Sequence, residues 1–307
     1  MEGVTPSMTT IADFIKVQKN DFHNNLDLGM SYPSYVLWSG FYMPDFPSDG
    51  SAVNKKIASE VKEYTQYRVK GEKDITSLLA LSLTESEADN CTNITGIINN
   101  QLMNSCDTPE TFVSAIKSAL EKFSERLSVE LILAIDTDNI DLSTFALASS
   151  LLGSGIFKGI YLYGEILSKM PQKFAGFTKT AQEHNLKTEI FAGFTKSSDE
   201  YMNLLRLLNP NTIIQGEHSV KDSKIIKFLK EHSINTVVTP STSFSTAQIQ
   251  FEQKARYIRT LLNEGLSVKL ATESILLFNQ SLSNFASNLC NTGIFSKEEM
   301  ISLLQQK

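Results

Sequence analysis

From Thr108 onward, short apolar runs alternate with longer amphipathic stretches, the pattern of a chain that alternates strand and helix. Thr108-Pro109-Glu110 opens the first of these helices with a capping hydroxyl, a proline at the first helical position and an acid in the first turn. Its apolar stripe runs through Phe112, Ile116, Leu120 and Phe123. Val129–Ile135 then reads as a buried strand. Further strands are predicted at Phe157–Tyr163, Thr188–Ala192, Thr212–Gln215, Asn235–Thr239 and Ser267–Thr272. The helices between them are predicted around Gln172–His184, Ser198–Leu208, Lys221–Glu231 and Gln248–Asn263. The last stops at Gly265, and Ser296-x-x-Glu299 forms a capping box near the end. Nearer the start, Asp21–His23 is predicted as a short strand and Thr76–Leu83 as a clearer one, which makes eight strands.

Strands separated by amphipathic helices favour an α/β fold, and eight such strands favour a (β/α)8 TIM barrel with right-handed crossovers. A doubly wound open sheet is the alternative, weakened because no strand leads into a glycine-rich phosphate loop. Residues 1–307 are expected to form a single barrel domain. Residues 28–74 are predicted as an irregular rim or lid excursion, and residues 84–107 as a polar one. The first carries the lone tryptophan, Trp38, within an aromatic and proline cluster through Tyr42, Phe46 and Pro47. That cluster is a candidate interface or a packing element over the barrel end.

Composition narrows the function classes. Apolar residues make up 41% of the chain and charged residues 20%, ordinary for a large buried core. The net charge of −6, with Lys and Arg dispersed, argues against nucleic acid as a partner. Cys91, Cys106 and Cys290 show no metal-type spacing and suit a reducing compartment. No signal peptide of the usual kind and no bilayer-spanning run is predicted, so a soluble, cytoplasmic protein is expected.

Reactive groups of such a barrel sit at the carboxyl ends of its strands. Read there, several segments fall in a familiar order. Gly159-Ile160-Tyr161-Leu162-Tyr163-Gly164-Glu165 looks like a G-I-D-L-x-G-x-E strand, and Leu186–Phe194 like one that ends in H-A-G-E. Ile213-Ile214-Gln215-Gly216 corresponds to I-G-H-G, and Thr239-Pro240-Ser241-Thr242-Ser243 to C-P-T-S-N. Gly265–Ser274 matches a strand that ends in T-D-D, and Asp21–Asp27 matches D-L-H-x-H-x-D. In this order and spacing the chain resembles the adenosine deaminase family of metal-dependent barrels.

The resemblance implies a zinc ion held by three histidines and an aspartate, a glutamate and a further histidine that move protons, and a purine substrate. Zinc lowers the pKa of bound water enough to make it a nucleophile near neutral pH. Position by position, the first ligand is His23, the second is Asn25, the third is Phe191, and the aspartate is Glu273. The proton-transfer glutamate is Phe194, the catalytic histidine is Gln215, and the purine-contacting second aspartate is Ser274. Asp27 and Gly164 match positions that hold ribose and purine.

The expectation is therefore a zinc-free pseudoenzyme with no catalytic or metal site and no cofactor, leaning away from enzyme, that acts as a binding or regulatory module. Its partner would be a protein or a small molecule such as a nucleoside. Phe191 and Phe194 are expected to fill the space of the absent metal, in preference to an aromatic ligand shelf. His23 and Glu273 are expected either to pair as a buried ion pair or to serve a ligand. The alternative is a divergent purine nucleoside deaminase or hydrolase. It takes the form of a displaced metal on His23 and Glu273, or of an acid–base site built from Glu165, Glu273, His23 and His218. His184 and His232 fall at helix ends on the opposite face.

Overall fold

The computed structural model describes residues 8–47, 51–140, 142–216, 222–240 and 250–306. Eight parallel strands follow chain order β1 to β8. They are β1 Lys19–Asn25, β2 Cys91–Asn99, β3 Ser128–Asp136, β4 Phe157–Tyr163, β5 Lys187–Phe191, β6 Thr212–Ile214, β7 Asn235–Val238 and β8 Val268–Leu270. A parallel bridge between Asn24 and Glu273 joins the last strand region to the first. The result is the expected (β/α)8 barrel, with the carboxyl ends of all strands at one mouth.

Two cores support it. Inside the barrel, Ile97, Ile132, Ala134, Tyr161, Ile214, Val237 and Ala271 pack together, with Phe191 at the upper edge. Outside, the helices bury their apolar stripes against the strands. Val129–Ile135 illustrates the sequence logic: each face of a barrel strand is covered, so the run is almost continuously apolar. Gly159 on β4 is required by close packing. A Cβ there would lie 2.5 Å from the carbonyl oxygen of Lys187 on β5.

The first third differs from its sequence reading. Thr76–Leu83 is not a strand; it lies within a helix, Glu72–Ala88. That helix buries Ile75, Leu78, Leu79, Ser82, Leu83 and Ser86, a helical spacing that extends the apolar stripe beyond the window read as strand. The second strand is Cys91–Asn99, inside the stretch expected to be an excursion. Its Thr and Ile residues suit a strand, and its polar Asn93 lies at the barrel's open lower end. Residues 28–74 are also more regular than expected. They hold the helices Tyr32–Ser39 and Lys55–Arg68, capped by Ser31 and Asn54. The aromatic cluster packs on this layer: the Trp38 indole donates to Ser77 Oγ at 2.9 Å, and Tyr32 stacks on Phe46 at 3.7 Å between centroids.

Among the described residues, no helix is long and apolar enough to cross a membrane.

Candidate functional site at the barrel mouth

A pocket of about 230 Å³ opens among the carboxyl ends of the strands. β1 brings Asn25, and the turn after it brings Asp27. β2 and β3 end on Asn99 and Asp136, β4 on Tyr161 and Tyr163, and β5 on Phe191. Phe194 and Glu273 complete it from the following loops, and Lys62 reaches it from the helix Lys55–Arg68.

Phe191 and Phe194 lie 5.0 Å apart at 57° between ring planes, and both line the pocket. Both therefore edge an open space, with Phe191 also packed into the inner core. The reason lies in the strand end: Phe191 is buried at the top of the inner core, while the chain turns at Gly193 and leaves Phe194 half-buried beside the opening. Tyr161 and Tyr163 stack at 5.5 Å on the adjacent strand. Burial pushes both phenols above their usual range, so they stay protonated. Together these rings line the pocket as an aromatic shelf.

The polar groups divide into held and available ones. Glu273 does not pair with the His23 side chain. Its carboxylate accepts from Thr239 Oγ1 at 2.6 Å and from Gln215 Nε2 at 3.3 Å. His23 and Glu273 meet only through backbone, where Glu273 N donates to His23 O at 2.8 Å. The His23 ring pairs instead with Glu189, Nδ1 to Oε2 at 3.2 Å, and stands edge-on to Tyr161. Its Nε2 is buried with no hydrogen-bond partner. Gln215 and Glu273 both adopt left-handed backbone, at φ 56° and 58°. The conformation is uncommon for residues other than glycine and asparagine.

Asp27 lies in the pocket. Desolvation pushes its carboxyl up to about 6, opposed by the Lys62 ammonium. Gly164 sits at φ 129°, where a Cβ would fall 2.5 Å from Thr137 Oγ1, so backbone forms the wall there. Ser274 lines the pocket edge, but its hydroxyl caps the helix Ile275–Phe278 and donates to Leu28 O. Glu165 is not in the pocket. It is exposed and pairs with Lys169 one helical turn on, at 2.8 Å. This removes it from the acid–base site considered from sequence. The cause is Gly164, which turns the chain out of β4 and starts a new helix. His184 and His232 cap helix ends as expected. His218 lies outside the described residues.

Lys62, Asn99, Asp136 and Tyr163 were not read as site residues. Tyr161 and Tyr163 had a usable signal, because residues two apart on a strand share a face and Gly164 marks the mouth. Lys62 had none, since only the packing of its helix over the barrel brings it to the site.

A (β/α)8 barrel with an aromatic and carboxylate-lined pocket at the carboxyl ends of its strands has its site where enzymes of this barrel class carry theirs. The family model for adenosine deaminase matches residues 70–306, and the chain belongs to that family. A Treponema pallidum protein that carries the provisional name adenosine/adenine deaminase is 22% identical over 287 residues, covering 93% of this chain and 95% of its own. The fold is shared with Arabidopsis ADAL complexed with IMP, at TM-score 0.77 and 18% identity over 95% of this chain and 91% of that one. It is shared also with an amidohydrolase from Burkholderia ambifaria with bound Zn, at TM-score 0.73 and 15% identity over 98% and 92%.

These findings correct the expectation of no cofactor. The family, and the zinc bound by a neighbour of the same fold, make zinc the ion this fold implies. The donors on this chain can be tested against it. His23 Nε2 is a buried nitrogen without a partner, as an ion would require, and Glu273 is a carboxylate at the aspartate's position of the expected set, joined to the first strand by the Asn24–Glu273 bridge. Beyond these, no group of three or more His, Cys, Asp or Glu placed to hold a metal occurs among the described residues. The described donors therefore fall short of a tetrahedral zinc shell.

Proposed function

We propose that this member of the adenosine deaminase family binds a purine nucleoside or nucleotide at its barrel mouth without deaminating it, as a binding or regulatory module. One observation carries the reading. Where the family resemblance places the two proton carriers, this chain has Phe194, a ring on the pocket wall, and Gln215, an amide tied to Glu273. Neither side chain transfers a proton near neutral pH, and general acid–base help of that kind is worth about 10²–10⁴-fold. The pocket keeps what recognition needs. A flat base fits against Phe191, Phe194 and Tyr161, while Asp27, Asn25 and Asn99 offer acceptors and donors to sugar hydroxyls. The IMP complex of a protein of the same fold supports a purine as the ligand class.

The orphaned His23 Nε2 favours a second reading, a divergent deaminase that completes its site with groups supplied on binding. One experiment separates the two. The full chain, purified and supplied with Zn²⁺, is incubated with adenine, adenosine and AMP, and ammonia release is followed beside equilibrium binding. Saturable binding without ammonia is expected. Turnover that saturates with substrate overturns the binding-module reading.

A further inference from the structure

The pocket does not end at Lys62. Lys62 and Asp136 also line a second, larger hollow of about 850 Å³. It runs between the helix Lys55–Arg68 and the short helical turn Asn100–Ser105 that follows β2. Its walls are rich in amides: Gln66, Asn100, Gln101 and Asn104 all face it. Gln66 Nε2 donates to Gln101 Oε1 at 2.8 Å and ties the two walls together.

Two groups there point to a ligand. Asn100 is 3% exposed, and its side-chain oxygen has no hydrogen-bond partner. A buried acceptor left unmet costs on the order of 1–3 kcal/mol, so a donor is wanted at that place. Lys62 stands at the junction of pocket and hollow, 5.6 Å from the centre of the Tyr163 ring and beside Asp27. It is a cation at the point where a ligand leaves the aromatic shelf. Asp136 does not compete for it, because its carboxylate accepts from Asp138 N and Asn139 Nδ2, at 3.0 and 2.9 Å. Lys62 and Lys70 balance Glu63 and Asp136 in the walls, so the hollow is near neutral. Amide walls of no net charge suit hydroxyl groups, which both donate and accept.

We propose that the ligand is a purine nucleotide extended past its 5′-phosphate by a second, hydroxyl-rich unit, a nucleoside diphosphate sugar. The base lies on the rings of the inner pocket, the phosphate link meets Lys62, and the far sugar lies against Gln66, Asn100 and Asn104. The inference rests on the purine reading above and adds the extension to it.

Isothermal titration of the full chain with adenosine, AMP and ADP-ribose tests it. ADP-ribose is expected to bind at least about tenfold more tightly than AMP. Gln66→Ala, on the exposed helix face, and Asn100→Leu are each expected to bring that ratio close to one, with melting curves confirming that the variants are folded. Equal affinities for AMP and ADP-ribose overturn the extension and leave the purine reading standing. Binding of none of the three compounds overturns both. An ADP-ribose preference that survives in both variants overturns the assignment of the hollow.

Discussion

The first four strands and the last four build the mouth in different ways. β1 to β4 run seven, nine, nine and seven residues. β5 to β8 run five, three, four and three. The long-strand half carries Asn25, Asp27, Asn99, Asp136 and Tyr163 to the pocket. The short-strand half contributes Phe191, Phe194 and a glutamate whose carboxylate is already held by Thr239 and Gln215. Set against the family resemblance, Asp27 and Gly164, two of the positions for holding ribose and purine, fall in the first half, and the third, Ser274, follows β8. Those for proton transfer, Phe194 and Gln215, fall in the second. In a barrel each strand end contributes independently to one mouth, so recognition and chemistry can change on separate strands without disturbing the fold.

The sharpest way to break this comparison is at the seam between the halves. Gly159→Val drives a branched side chain into the β5 backbone, 2.5 Å from a Cβ position. It is expected to lower stability by about 3 kcal/mol, read as a drop in the denaturation midpoint. In the second half, Thr239→Val removes the hydroxyl that donates to buried Glu273 at 2.6 Å. About 2 kcal/mol of stability should be lost, because a buried acceptor is left short of a donor; an unchanged midpoint would mean that Glu273 is not held there.

Phe194→Ala tests the shelf. Stacking of a base on an aromatic ring is worth about 1–3 kcal/mol, so purine affinity should fall about tenfold or more in a titration while the fold persists. Asp27→Asn tests the first half through pH. Burial pushes the folded carboxyl up to about 6 from its ordinary 3.8, so the fold takes up protons between those values and loses stability as pH rises through them. Above that window the ionised, desolvated carboxylate opposes folding. The amide variant should therefore melt roughly 2 °C higher at pH 8 and no differently at pH 3; a lower melting point at pH 8 would show the carboxylate to be stabilising. Glu165→Gln should do least. Its pair with Lys169 is exposed on both sides, so the denaturation midpoint should not move and ligand binding should be untouched.

How far the chain could be read without its structure varied by region for physical reasons. Phe157–Tyr163 and Ser198–Leu208 coincide with observed elements, because caps and apolar periods mark both clearly. Thr76–Leu83 did not, since a short apolar run looks alike in a buried helix and a buried strand. Cys91–Asn99 hid because its lower residues face an open, polar barrel end, where no apolar alternation is required. In the site, the residues at the positions that the family resemblance implies were legible one by one. That Phe191 and Phe194 frame a space, and that Glu165 turns away, was not.

The sequence by itself determined the repeating strand–helix unit, the barrel it closes into, the family, and which residues stand at the strand ends. These follow from local periodicity and from the identity of residues at strand ends, which neighbours in space do not alter. Only the tertiary structure decided the partners: His23 with Glu189, Glu273 with Thr239 and Gln215, and Lys62 over Tyr163. Each joins residues far apart in the chain, and which side chains meet across a barrel depends on strand tilt, register and the path of the loops, none of which is written in any one segment.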